Sequence, residues 1–107
     1  MSEVADFFGQ VSAKVDKDKI QGMNAVYQFN ITGDGGGEWS VSIADGNLTV
    51  GEGTVDSPSI TLTIEAANFA DLVAGKLNGQ TAFLTGKLKI QGDMTLAMKL
   101  QSIFALG

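Results

Sequence analysis

The apolar positions of the chain change their spacing several times, and each change marks a new element. From residue 3 to residue 20, Val4, Phe7, Phe8, Val11 and Val15 recur at steps of three and four. That spacing gathers them on one face of a helix. Lys14, Asp16, Lys17, Asp18 and Lys19 give the helix a polar end, and Gly22 breaks it. The period then drops to two. Ala25, Tyr27, Phe29 and Ile31 alternate with Val26, Gln28 and Asn30, which predicts a strand with one buried face. The glycine-rich run from Thr32 to Gly37 is a loop. Trp39, Val41 and Ile43 alternate with Glu38, Ser40 and Ser42 in a second strand. Asp45-Gly46 predicts a tight hairpin, because both positions tolerate positive φ. Leu48 and Val50 then mark a third strand, and residues 51–58 connect it to a fourth at Ile60, Leu62 and Ile64.

The helical spacing returns from Ala66 to Gly75, with Phe69, Leu72 and Val73 on one face and Gly75 as the terminating residue. Asn78 to Thr85 reads as a short helical turn carrying Ala82, Phe83 and Leu84. Gly86 to Gly92 is a fifth strand with Leu88 and Ile90 inward. Asp93 suits the N-cap of a last helix from Met94 to about Leu106. Each strand has one apolar and one polar face, as in antiparallel sheets that face water on one side. The helices must then cover the other face. The expected architecture is a two-layer α+β domain with a five-stranded, mostly antiparallel sheet, spanning residues 1–107 as one unit.

Composition narrows the chemistry more than the fold. The 107 residues include no cysteine and no histidine. That removes thiol nucleophiles, disulfides, thiolate metal sites, and the side chain that titrates nearest neutrality. The net charge of −5 has the wrong sign for nucleic-acid binding, which draws on cations meeting phosphates, and for tight docking on anionic membranes. The charge is uneven, however. Residues 1–65 carry three lysines against ten acids, whereas residues 66–107 carry Lys76, Lys87, Lys89 and Lys99 against Asp71 and Asp93. The second segment offers a mildly basic rim suited to an anionic head group. The first residues have no basic start and no apolar stretch, so no signal peptide is expected and the expected location is cytoplasmic. No apolar run approaches the roughly 20 residues of a membrane helix.

The motifs that suggest catalysis or metal binding fail on context. Gly33 to Gly37 would need a helix after it to cradle a nucleotide, and a strand follows instead. Gly86-Lys87 lacks the spacing of a phosphate loop. Asp34, Glu52 and Asp56 can share one end of the sheet, but their spacing matches no calcium loop, so no metal and no cofactor are expected. No pair of carboxylates stands out for acid–base work. The last helix is more informative. Met94, Leu96, Met98, Leu100, Ile103, Phe104 and Leu106 cover more than one stripe. Such a face suits either deep burial or contact with a ligand or partner, and methionines suit an adaptable apolar surface.

From Ser59 to Phe104 the chain resembles the sterol carrier protein type 2 family. The resemblance rests on Ile60-Thr-Leu-Thr-Ile64, Phe69, Gly75-Lys-Leu-Asn78 and Gln80-Thr-Ala-Phe83. It continues through Gly86-Lys-Leu-Lys-Ile-Gln-Gly-Asp93 and Leu96-Ala-Met-Lys-Leu100. Upstream, Ala25 to Phe29, the Trp39 strand and Asp45-Gly46 also fit, so nearly the whole chain is covered. Gly79 departs from the pattern, since the family commonly has proline there.

The resemblance implies a hydrophobic tunnel between sheet and helices, and a non-catalytic domain that binds and transfers or presents a fatty acid, fatty acyl-CoA, phospholipid or other lipid. The lining expected on this basis is Trp39, Val41, Leu48, Val50, Phe69, Leu72, Val73, Leu77, Phe83, Leu84, Leu88, Ile90, Met94, Met98, Ile103 and Phe104. The last helix is expected to form one wall and to move, because chain ends open cheaply. Met98→Arg is expected to abolish lipid binding in a folded domain. Transient membrane contact and a partner enzyme are compatible with this reading, and the oligomeric state is left open. Two other functions compete. The chain can be an interaction module that docks a partner enzyme through its apolar last helix. An acid–base enzyme using a carboxylate or Tyr27 would need a carboxylate on an inward position, and the inward positions carry none.

Overall fold

The computed structural model describes residues 3–15 and 17–104, leaving aside the side chains of Glu3, Leu100, Gln101, Ser102 and Phe104. Its first element, α1 (Glu3–Lys14), buries Val4, Phe7, Phe8 and Val11. The helix expected to run to residue 20 instead stops there, and a separate 3₁₀ turn follows at Lys17–Ile20. The reason lies in the stripe. After Val15 the next inward positions would be Asp18 and Lys19, both of which stay exposed. The tighter turn swings Ile20 into the core instead.

Five strands follow the sequence pattern closely: β1 (Asn24–Thr32), β2 (Gly37–Ala44), β3 (Asn47–Glu52), β4 (Ile60–Glu65) and β5 (Leu88–Gly92). They form one sheet in the order β3-β2-β1-β4-β5. All neighbours are antiparallel except β1 and β4, which run parallel. At the β2–β3 hairpin, Asp45 and Gly46 both have positive φ, 53° and 78°. This is the type I′ geometry that matches strand twist. In the β1–β2 loop, a Cβ at Gly36 would overlap the Ile31 carbonyl, so the chain can close there only with glycine.

A parallel β1–β4 pair requires a crossover. Residues 53–59 provide it, running across the face of the sheet opposite the helices. Gln28 on that face is buried at 2 % exposure. Its amide donates to the carbonyls of Trp39 and Gly53, each at 3.2 Å, and accepts from the Val55 N–H at 3.0 Å. The outer face is therefore not wholly solvated, as the polar alternation implied. A strap crosses it, and Gln28 supplies the polar partners that the strap's backbone needs.

The helical layer comprises α1, α2 (Ala66–Val73), α3 (Gly79–Leu84) and α4 (Met94–Phe104). Ala105 and Leu106, the end of the expected last helix, lie outside the described residues. The core between the layers is strongly aromatic over β1 and β2. Phe8 stacks on Trp39 at 5.0 Å and on Phe69 at 5.7 Å. Phe29 meets Phe8 edge-on at 5.1 Å, and Phe7 meets Phe69 at 5.2 Å. Each fully buried side chain of this size contributes about 1.5–3 kcal/mol relative to exposure.

Candidate functional site

A cleft of about 360 Å³ opens where α3, β5 and α4 meet. Its walls are Gly79, Gln80 and Phe83 from α3, Leu88 and Ile90 from β5, and Met94, Ala97 and Met98 from α4. The volume lies at the lower end of the range for small-molecule pockets. Gln80 supplies the one polar side chain on this wall, so the cleft can hold an apolar body but offers little to a charge.

Each wall has a local cause. Asn78 caps α3, its Oδ1 accepting from the N–H groups of Gln80 at 2.8 Å and Thr81 at 3.3 Å. That cap starts the helix at Gly79, which has no side chain to fill the space beside it. Alternation in β5 turns Leu88 and Ile90 to the helix side. Asp93 then starts α4 at once: its Oδ1 accepts from the Thr95 N–H at 2.9 Å. Its carbonyl accepts from Leu96 and Ala97. The residues of α4 divide between two tasks. Leu96 and Ile103 are buried in the core, while Met94 and Met98 are 47 % and 83 % exposed at the mouth.

Tyr27 ties α4 to the centre of the sheet. Its hydroxyl donates to the Leu96 carbonyl at 2.9 Å inside the core. Burial, with the Asp93 charge adding to it, pushes the phenol up from 10.0 to about 12. Tyr27 is buried beneath α4 and is not among the residues of the cleft wall. Among the described residues, no group of three or more acidic side chains is placed to hold a metal ion.

The expected lining residues separate into groups. Phe83, Leu88, Ile90, Met94 and Met98 come together on the cleft wall. Val41, Phe69, Leu72 and Ile103 are packed into the core at 0–2 % exposure. Trp39, Leu48, Val50, Val73 and Leu77 are half-buried against that core, away from the cleft. Leu84 points outward at 73 % exposure. The Phe104 side chain lies outside the described residues. Gly79, Gln80 and Ala97 line the cleft without having been expected there; the only signal was Gly79, the departure already noted. A second, polar cleft of about 350 Å³ lies among Thr32, Thr63, Glu65, Thr85, Lys87 and Lys89.

Residues 6–105 match the model of the SCP-2 sterol transfer family. The chain belongs to this family. Its coarse function follows, since SCP-2 domains bind and transfer lipids. The SCP-2 fold is shared with the solution structure of the sterol carrier protein domain 2 of Helicoverpa armigera. The TM-score is 0.77 at 32% identity, covering 92% of this chain and 83% of that one. It is shared equally with palmitated SCP2L2 from Aedes aegypti, at a TM-score of 0.78 and 28% identity, covering 95% and 93%. Among curated proteins, this SCP-2 chain is 34% identical to hydroxysteroid dehydrogenase-like protein 2 of Bos taurus over 94% of its own length. It spans about a quarter of the length of the curated relatives that it matches first.

Proposed function

We propose that this domain binds one elongated apolar ligand, such as a fatty acid or the acyl part of a larger lipid, in the cleft between α3, β5 and α4. It carries or presents that ligand without changing it covalently. The observation that carries the reading is the wall itself: Phe83, Leu88, Ile90, Met94, Ala97 and Met98 converge on one space. Burying an acyl chain there yields about 0.8 kcal/mol per methylene, less the cost of ordering the ligand. The palmitated relative from Aedes aegypti supports an acyl ligand. Extension of the cleft into a tunnel requires α4 to shift, and the flexible methionines at its mouth suit such a movement. A cytoplasmic location belongs to the same proposal.

Native mass spectrometry of the purified chain, followed by lipid extraction, tests the reading. The expected result is one lipid per chain, or one fluorescent fatty acid taken up by the delipidated protein. A chain that never carries or accepts such a ligand overturns it. A second reading is favoured by the curated relatives, in which the matching segment is part of a longer protein named as an enzyme. On that reading the domain works beside a partner enzyme and presents the ligand to it. Pull-down of such an enzyme from the same cells, lost when α4 is altered, distinguishes the two.

A further inference from the structure

The edge strand β5 divides its side chains between two clefts. Leu88 and Ile90 line the apolar one. Lys89, with Lys87 just before the strand, lines the polar one of about 350 Å³. Thr63 and Lys89 are register partners and alternate with the buried Leu62, Ile64 and Leu88, so they project from the outer face of the sheet. The polar cleft lies at the end where the parallel strands β1 and β4 both finish, with Thr32 paired to Glu65. α2 begins there too, directly after Glu65, and its first turn contributes Asn68 to the wall. Glu65 makes no side-chain cap, and the first turn of α2 holds no acid. Among the described residues, Lys87 and Lys89 are exposed, and neither is paired with a carboxylate although Glu65 shares the cleft.

We propose that this polar cleft is a second binding site, which takes a small, water-soluble phosphate monoester bearing hydroxyl groups. The two ammonium groups supply charge-assisted hydrogen bonds to the phosphate oxygens. The Thr63 and Thr85 hydroxyls and the Asn68 amide add neutral donors around them. An ionised Glu65 can only accept, so it opposes a bare anion and favours a molecule that also brings a donor. A phosphate at one end and a hydroxyl at the other satisfy both demands. The volume suits a short carbon skeleton. A long polyanion such as nucleic acid fits poorly, because the whole chain carries a net charge of −5. A lipid in the apolar cleft would lie on the other face of β5, so it does not supply the phosphate. The site therefore stands independently of the proposed function.

Titration of the isotopically labelled full chain with glycerol phosphate, followed by amide NMR shifts, tests the proposal. Saturable shifts are expected at Thr63, Asn68, Thr85, Lys87 and Lys89, with none at Met94 or Met98 beside the apolar cleft. Lys89→Gln removes a charge-assisted partner and should weaken binding by about tenfold. Lys99→Gln alters an exposed lysine outside the cleft and should leave the affinity unchanged. Wild-type protein should prefer glycerol phosphate to inorganic phosphate. Glu65→Gln should erase that preference, chiefly by binding inorganic phosphate more tightly. All three positions are exposed, so the variants should keep their circular dichroism. Shifts that never saturate, or that appear equally at Lys14, Lys76 and Lys99, would be screening of surface charge and would overturn the site. Undiminished binding by Lys89→Gln protein would do the same. Displacement of glycerol phosphate by a fatty acid would place both in one cleft and overturn the separate site. A preference that survives Glu65→Gln would overturn the hydroxyl-bearing class of ligand.

Discussion

The two ends of the sheet are covered in different ways. Over β1 and β2, the rings of Phe7, Phe8, Phe29, Trp39 and Phe69 meet at centroid distances between 5.0 and 6.5 Å. Over β5, the covering residues are Gly79, Gln80, Phe83, Met94, Ala97 and Met98, one ring among small and flexible side chains, and a cleft of about 360 Å³ remains. The difference is one of side-chain choice. Rigid rings with few rotamers fill a space and hold it. Glycine and alanine leave space, and methionine adapts to whatever enters. One half of the molecule is thus packed with rings and the other holds the cleft in which we propose the ligand sits, so substitutions should separate stability from binding.

The largest expected effect is in the filled half. Phe8 is 2 % exposed and touches Phe7, Phe29, Trp39 and Phe69. Phe8→Ala removes the centre of the cluster and should cost about 3–5 kcal/mol of stability. Urea unfolding measures this directly, and a loss under 1 kcal/mol would mean that the cluster does not hold the fold. In the hollow half the opposite is expected. Ala97→Phe adds a ring to the cleft wall, and fatty-acid affinity should fall by tenfold or more, about 1.4 kcal/mol. The unfolding midpoint should change little. Ala97 is a sharper probe than Met98→Arg, because Met98 stands at the mouth with most of its surface in water. If Ala97→Phe destabilises as much as Phe8→Ala, the two halves are one core and the comparison fails.

Much of the fold was legible because each strand carries a single apolar face. Tyr27, Val41, Ile60 and Leu88 all fall on the buried side that alternation assigned them. Asp45-Gly46 announced its hairpin through the backbone angles those residues tolerate. Gln28 was misleading for a physical reason. Periodicity marks a polar residue as outward, and it cannot register that a strap from the β3–β4 connection covers that position. The cleft was the least legible part. A hydrophobic pattern records which face of a helix leaves water, not whether it meets other side chains or a void. Val41, Phe69, Leu72 and Ile103 carry the same signal as Leu88 and Met94, yet the first four pack into the solid core. Conversely, Gly79 and Ala97 shape the cleft by being small, and small residues contribute almost nothing to a pattern.

The next effect lies between the two halves, where Tyr27 fastens α4 to the sheet. Tyr27→Phe removes one buried hydrogen bond and should cost about 1 kcal/mol at neutral pH. The pH dependence carries a clearer signature. The folded phenol titrates near 12 and the unfolded one near 10. Between these values the unfolded chain loses its proton first, so stability falls as pH rises through that window, by up to about 2 kcal/mol. Below pH 10 the contribution is fully present. The gap in stability between wild type and Tyr27→Phe should therefore be constant up to about pH 10, shrink beyond it and change sign before pH 12. A gap that stays constant to pH 12 would show that burial does not hold this proton. If α4 is the moving wall, Tyr27→Phe should also speed fatty-acid release at neutral pH, with little change in the fold.

The smallest expected change concerns Gly79. It is the first residue of α3, immediately after the Asn78 cap, and it is buried on the cleft wall. Proline is well suited to a first helical position, because its missing N–H has no partner within the helix there and its φ is already helical. Gly79→Pro should therefore stabilise the domain by about 0.4–1 kcal/mol, chiefly by reducing the freedom of the unfolded chain. The same ring would project toward the cleft and take up part of its volume. Stability and affinity should then move in opposite directions, with a higher melting temperature and weaker uptake of long-chain fatty acids, while shorter chains are affected less. Differential scanning calorimetry and a chain-length series of fatty acids measure the two halves of this claim. A variant that is both more stable and equally able to take every chain length would show that the space beside Gly79 is not where the ligand lies, and would move the site toward Leu88 and Met94.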